Sequence, residues 1–338
     1  DGSTWFRIRK SHPDPAPDPL GLVLSSLNGL FSFTILDLSG CNIGEGVIPD
    51  YIGCCLYSLE HLVLSGNNFF SLPTSIRFLS KLRSLDLSLC ERLQQLPDLP
   101  SKRSFLLINV DDCTSLRRLS DPSKLSEGAN VYDFEFTCLN CFKLVEEEGW
   151  INRIFAMIMR LTAPNYYSEG ILWPASEIPE CFSNQSVGDS ITVELPLSPP
   201  PQSLCSSDWA GIALCVVLED SEYLRNLTAL VGYDYFKIQC LRGPNVNFRV
   251  GHLRSQHLWV FYLPRHHPSL RDASSSHRFS FEVHYGAYKS SKRLKTSSNI
   301  KECGARFLYK RDLEEFSGIQ KIPKPNWKSA LYADRPNW

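Results

Sequence analysis

Four stretches of the chain share one spacing of apolar residues. They read "FTILDLSGCNI", "LEHLVLSGNNF", "LRSLDLSLCERL" and "FLLINVDDCTSL". A first apolar position falls at Phe33, Leu59, Leu82 and Phe105, and a second at Leu36, Leu62, Leu85 and Ile108. A third falls at Leu38, Leu64, Leu87 and Val110, and every column advances by 26, 23 and 23 residues. A weaker copy, with Phe136, Cys138, Cys141 and Leu144, follows 28 residues on. The pattern L-x-x-L-x-L-x-x-N/C at this period is that of a leucine-rich repeat. Each L-x-L predicts a short strand whose leucines point inward with period two. One repeat cannot bury that face alone, so neighbours stack into a curved solenoid.

The N/C column holds Cys41, Asn67, Cys90 and Cys113, with Cys141 in the weaker copy. Asparagine there bonds exposed backbone groups, and cysteine acts as a small buried residue with a weak S–H donor. Cys90 is therefore read as wall, not as ligand, nucleophile or half of a disulfide. The C-x-x-C of Cys138 and Cys141 has no second pair to complete a zinc site. Between and after the leucines, Asp37, Val63, Asp86 and Asn109 are expected to form one ladder on the concave face. Ser39, Ser65, Ser88 and Asp111 form the next. Concave solenoid surfaces are the usual binding surfaces, so these eight residues are the candidate partner-binding set. On this placement Asp86→Lys exposes no core and costs under ~0.5 kcal/mol of stability.

Beyond the repeats, "EEEGWINRIFAMIMRL" (146–161) sets Ile151, Ile154, Phe155 and Ile158 on one helical face. Glu146 to Glu148 suit the positive end of that helix's dipole. From about 170 the pattern changes. "SITVELP" alternates Ile191, Val193 and Leu195 against Thr192 and Glu194, and "GIALCVVL" is continuously apolar. "YFKIQCL", "HLWVFYLP", "RFSFEVHY" and "GARFLYK" follow, separated by Pro, Ser, Gly and Asn. Short strands between turn signals predict an all-β sandwich or jelly roll, with Cys215 and Cys240 in its core. The expected fold is an α/β leucine-rich-repeat solenoid followed by an all-β sandwich (jelly-roll/Ig-like) domain. The expected boundaries are 1–19, a proline-rich linker or partial repeat; 20–145, repeats; 146–169, helix and linker; 170–316, the β domain; and 317–338, a tail. The first repeat follows the proline-rich stretch without a polar cap, so the chain is expected to be a piece of a longer protein.

Composition narrows the function classes. A net charge of −1 over 338 residues gives no overall pull toward nucleic acid or anionic membrane. No apolar stretch approaches the ~20 residues of a membrane helix, and the N-terminal segment lacks the apolar core of a signal peptide. Twelve scattered cysteines fit reduced thiols inside a cell better than a disulfide framework. No G-x-x-x-x-G-K-[ST], H-E-x-x-H or calcium loop occurs, and no G-x-S-x-G elbow. "GEGVIP" lacks the third glycine of a dinucleotide loop, and His266 with His267 reads as surface loop. No catalytic residue, metal or cofactor is assigned. The basic run Lys289, Lys292, Arg293 and Lys295 is a candidate nuclear import signal, with a solvated loop as the plainer reading. Two glycosylation acceptors, Asn184–Gln185–Ser186 and Asn226–Leu227–Thr228, keep an extracellular leucine-rich-repeat receptor ectodomain as the alternative.

The succession of repeats, "ILWPASEIPECFSNQSVGDSITVELP", "GIALCVVL" and "KECGARFLYKRDLEEF" resembles one family over residues 20 to 316. That family is the plant Toll/interleukin-receptor-type nucleotide-binding leucine-rich-repeat disease-resistance proteins. The specific segments are Pro174 with Ser176 to Glu180, and Cys303 to Tyr309. One departure is Cys181, where the family commonly has Trp. The resemblance implies an intracellular immune receptor, cytoplasmic or nuclear, whose repeats and jelly-roll/Ig-like domain together recognise a pathogen effector protein. It further implies an N-terminal domain that hydrolyses NAD and a nucleotide-binding domain, both absent from this chain. In the full-length receptor the repeats would contact the nucleotide-binding domain, and oligomerisation would belong to that receptor alone. Neither membrane nor nucleic acid is an expected partner.

Overall fold

The computed structural model describes residues 5–7, 33–100, 105–119, 133–146, 170–194, 209–219, 227–231, 234–237, 253–265, 278–285 and 300–309. The chain divides into two compact units, Asp1–Leu161 and Thr162–Trp338.

The first unit is built on parallel strands that pair in chain order. They are β1 (Trp5–Arg7), β2 (Ile35–Asp37), β3 (His61–Val63), β4 (Ser84–Asp86), β5 (Phe105–Asn109) and β6 (Asp133–Thr137). The pairing register is the repeat register: Leu36 faces Leu62, Leu62 faces Leu85, Leu85 faces Ile108 and Ile108 faces Phe136. Leu38, Leu64, Leu87 and Val110 are fully buried behind them. β1 lies ahead of the aligned repeats and pairs with β2, Phe6 opposite Leu36. Among the described residues of this unit helix is scarce. The described residues hold α1 (Ile52–Cys55), a 3-10 turn (Thr74–Phe78) and α2 (Phe142–Val145). The unit is thus a mostly-β solenoid, and the α part of the expected α/β class shrinks to these turns.

Two columns close each repeat. The residue before the N/C column turns left-handed, at Gly40 (φ 65), Gly66 (φ 66), Leu89 (φ 59), Asp112 (φ 59) and Asn140 (φ 58). The N–H groups of Gly40, Gly66, Leu89 and Asp112 each reach a carbonyl in the next repeat, at Ser65, Ser88, Asp111 and Leu139, over 2.8 Å. The N/C column then turns inward. Asn67 Nδ2 donates to the Leu38 and Leu64 carbonyls at 3.0 and 2.7 Å, and its Oδ1 accepts from Ile43 N–H at 2.9 Å. Cys90, Cys113 and Cys141 copy the donor half with Sγ contacts of 3.2, 3.1 and 3.1 Å to the Leu64, Leu87 and Val110 carbonyls. Burial pushes the Cys90 thiol up to about 12 and the Cys113, Cys138 and Cys141 thiols well above the ordinary range. Thiols so held stay protonated and inert.

The second unit has two antiparallel sheets. One runs β7 (Gly170–Pro174), β13 (His257–Pro264), β10 (Trp209–Leu218), β15 (Ile300–Tyr309) and β8 (Asn184–Val187). The other runs β12 (Asp234–Lys237), β11 (Leu227–Val231), β14 (Arg278–Tyr285) and β9 (Ser190–Glu194). β9 alternates as its sequence predicts, with Ile191 and Val193 buried and Thr192 and Glu194 exposed. Central strands are buried throughout, as residues 211–218 and all of β13 show. Rings join the two sheets, since Phe261 lies 4.7 Å from Trp259 and 5.3 Å from Phe281 on β14. The buried Tyr262 hydroxyl donates to the Ala210 carbonyl at 2.9 Å. Cys215 is buried in β10, whereas Cys240 lies outside the described residues. The ten described cysteines are free thiols. Among the described residues, no helix is long and apolar enough to cross a membrane.

Candidate partner-binding face of the repeats

Alternate residues of a strand share a face. With Leu36 and Leu38 inward, Ile35, Asp37 and Ser39 turn to the other side. The register lays Asp37 beside Val63, Val63 beside Asp86, Asp86 beside Asn109, and Asn109 beside Thr137. Ser39, Ser65, Ser88 and Asp111 follow as the next row. The structure therefore brings all eight residues singled out from the sequence onto one face. It adds a row that the sequence reading passed over: Ile35, His61, Ser84 and Leu107, two residues before the first ladder. Period two alone would have found them.

That face is not the solvated ladder expected. Asp37 is 4% exposed, Asp86 5%, Asn109 1%, Asp111 2% and Val63 7%; only Ser39, Ser65 and Ser88 are half-buried. The cause is local. Parallel strands stand ~4.8 Å apart, and short acidic and amide side chains fold back onto nearby backbone. Asp37 Oδ1 accepts from Ser39 N–H at 3.1 Å and from its hydroxyl at 2.7 Å. Asp86 Oδ1 accepts from Ser88 N–H at 3.0 Å. Asn109 Oδ1 accepts from Asp111 N–H at 2.9 Å and from the Thr137 hydroxyl at 3.2 Å. Asp111 Oδ1 accepts from Leu139 N–H at 2.8 Å. The small cost expected of Asp86→Lys falls with the exposure, because a buried ammonium beside a lost hydrogen bond is expensive.

Burial also sets the charges. The Asp86 carboxyl is raised above its ordinary range by desolvation; the Ser88 N–H and hydroxyl oppose the rise and Asp37 adds to it. Asp111 is pushed up to about 7, first by desolvation, with the Leu139 N–H and Thr137 hydroxyl opposing and Asp112 and Asp86 reinforcing. His61 is lowered by burial, with Glu60 opposing and Arg83 reinforcing. Three polar atoms on this face are buried without a hydrogen-bond partner: His61 Nδ1, Ser84 Oγ and Asp111 Oδ2. His61 Nδ1 makes no bond to a carboxylate, so nothing orients the ring as a base for Ser84. No group of metal-binding side chains occurs among the described residues. What the face can do is accept hydrogen bonds and positive charge.

The second unit offers an open polar hollow lined by Ser183, Asn184, Gln185, Ser186, Ser190, Ile191 and Thr192. On the same edge strand Val187 is 91% exposed. Asn184, the first acceptor residue, donates to the Ala305 carbonyl at 3.4 Å and the Ser183 hydroxyl at 3.2 Å. Lys289, Lys292, Arg293, Lys295, His266, His267, Asn226 and all but the first residue of the helix read over 146–161 lie outside the described residues.

Two family models match the chain over these two units. Residues 38–139 match the leucine-rich repeats of "Disease resistance protein RPS4B-like" type, and residues 173–314 match the C-JID domain. The chain carries the leucine-rich repeats and the C-JID domain of the RPS4-like disease-resistance family. The disease resistance-like protein DSC1 of Arabidopsis thaliana is 34% identical over 208 residues, covering 58% of this chain and 16% of that protein. Disease resistance protein RPP2B of the same plant is 29% identical over 340 aligned residues, covering 90% and 27%. The TMV resistance protein N of Nicotiana glutinosa is 33% identical over 178 residues, covering 50% and 15%. The chain spans between 15% and 27% of the length of these three relatives.

Proposed function

We propose that this chain is the sensor part of an intracellular plant immune receptor and binds a pathogen effector protein. In this reading the repeat face and the second unit, a β-sandwich of the jelly-roll/Ig-like kind, each supply part of the contact. Signalling, NAD hydrolysis included, then falls to other domains of the full-length receptor, and recognition is the part of the repeats and the second unit. In the full-length receptor the repeats would also contact the nucleotide-binding domain. The full-length protein would act in the cytoplasm or nucleus, with Lys289 to Lys295 as the candidate import run.

The observation that carries this reading is the polar face repeated at the period of the solenoid, in a chain with the repeats and C-JID domain of disease-resistance proteins. The area argument favours two contributors. A specific interface takes roughly 800 Å² on each side, and strands of three to five residues present only a narrow strip. The test is capture of individually purified effectors by the full chain. One effector should be retained, and retention should fall about tenfold when Ser65, half-buried at the mouth of the face, is replaced by arginine. Retention unchanged by Ser65→Arg would remove the repeat face from the account.

A further inference from the structure

Two sheets of the second unit end side by side. Among the described strands β8 pairs with β15 alone and β9 with β14 alone, so each is the last strand of its sheet. Gly188 and Asp189 join them, and Gly188 takes the left-handed backbone (φ 97) that so short a turn needs. The open polar hollow, about 490 Å³, lies along this junction. Ser183 to Ser186 line it from the β8 side, and Ser190 to Thr192 from the β9 side. Consecutive strand residues point to opposite faces, so the hollow follows the free edge of β8 and not one face of its sheet.

The ladder shows what that edge offers. Gly188 N–H donates to the Lys301 carbonyl at 2.9 Å, in step with the Val187–Glu302 and Gln185–Gly304 pairs. Hydrogen-bonded and non-bonded pairs alternate along an antiparallel ladder. The bonds to β15 therefore come from Gly188, Ser186 and Asn184, while Gln185 and Val187 direct their N–H and C=O groups outward. The Val187 carbonyl takes the Ser186 hydroxyl there over a long 3.4 Å. Edge strands are ordinarily guarded by lysine, proline or a bulge. Asn184–Gln185–Ser186–Val187 has none of these, and the Val187 side chain is 91% exposed. Glu302, opposite Val187, is held by Lys301 at 3.1 Å.

We propose that the β8 edge takes up an extended segment of the bound protein partner, which adds a strand to the sheet and lays alternate side chains into the hollow. The inference rests on the partner-binding reading above and names how the second unit makes its share of the contact. In such pairing main-chain hydrogen bonds supply the attraction and flanking side chains the preference. Edge and hollow carry no charged side chain, so the segment they fit is uncharged there. Valine or isoleucine would lie against Val187, and serine or threonine toward the hollow. A second copy of this chain fits less well. Two β8 strands paired edge to edge would join four residues to four, against roughly 20–30 on each side of a stable interface. A partner already held by the repeat face needs no such area, because its second contact forms at high effective concentration.

The probe is a fluorescein-labelled heptapeptide of alternating threonine and valine. N-methylation of its valines leaves one edge free to pair and keeps the peptide from stacking on itself. Fluorescence anisotropy with the full chain should show binding, and methylating the threonines as well should weaken it about tenfold or more. Val187→Lys installs the ordinary guard of an edge strand and should weaken binding about tenfold. Gln185→Pro, which removes an outward N–H and none of the bonds to β15, should act the same way. Ser65→Arg, on the repeat face, should change it by less than about twofold. Thermal melts check that each variant is folded, and sedimentation velocity reads the oligomeric state. Equal binding of the two peptides overturns the proposal, as does full binding by Val187→Lys or Gln185→Pro, or an equal loss in Ser65→Arg. A wild-type dimer that Val187→Lys disperses also overturns it and gives the edge to a second copy. A chain that captures an effector yet ignores the heptapeptide loses this inference alone. One that binds the heptapeptide at β8 but retains no effector loses the reading beneath it.

Discussion

Replacing Asp111 by asparagine takes away a charge that the fold holds at a cost. The side chain is 2% exposed, and its carboxyl sits at about 7 against the ordinary 3.8. At about 1.4 kcal/mol for each pH unit between those values, the ionised form burdens the folded state by on the order of 4 kcal/mol. The sign follows from proton binding. Between the two values the folded chain keeps its proton and the unfolded chain has lost it, so this group's contribution to stability falls as pH rises from about 4 to about 7. Asparagine keeps the Oδ1 acceptor for Leu139 N–H and cannot ionise. The protonated acid and the amide both leave a donor where Oδ2 stood, so that cost cancels at low pH. Loss of the Asp111 charge also relieves Asp86, which acts in the same direction. Urea unfolding followed by tryptophan fluorescence should show Asp111→Asn within about 1 kcal/mol of wild type at pH 4.5 and about 2–4 kcal/mol more stable at pH 8. A difference that does not change with pH, or one that shrinks as pH rises, would refute the reasoning.

Leu87→Ala should cost ~2–5 kcal/mol through a cavity in the fully buried column, read as a lowered unfolding midpoint. Cys113→Asn, which copies Asn67, should be tolerated better than Cys113→Val; the valine removes one of two donors to the Leu87 carbonyl and leaves the Cys90 N–H, at a cost of ~0.5–1 kcal/mol in urea unfolding. In native protein at pH 8 iodoacetamide should label the exposed Cys54 and spare Cys90, Cys113, Cys138 and Cys141, as peptide mass spectrometry would show. Leu89→Gly should stabilise by up to ~1 kcal/mol, because the left-handed backbone that Gly40 and Gly66 take without strain costs leucine ~1–2 kcal/mol.

The solenoid could be read from the chain because its determinants are local and recur. Leucine columns 23 to 28 residues apart predict both strands and register, and Leu62, Leu85, Ile108 and Phe136 pair as aligned. β1 escaped because Trp5, Phe6 and Arg7 lack the L-x-L signature, although they take the same pairing. In the second unit individual strands such as β9 were legible from alternation. Their order was not: β10 lies between β13 and β15, partners far along the chain, and nothing local specifies that choice. The candidate face was legible as a set of positions, but its burial was not. Period two says which way Asp86 points, whereas its recovery of the Ser88 N–H depends on a turn geometry that apolar spacing does not carry.

The central claim is that the repeat face and the second unit both take part in holding one partner. Titration calorimetry of a retained effector against four forms of the full chain tests it: wild type, Ser65→Arg, Val187→Glu on the exposed edge strand, and the double variant. The account predicts about tenfold weaker binding for each single variant and a near-additive loss in the double, as for independent contributions. Wild-type affinity in either single variant, with both forms folded, would contradict it.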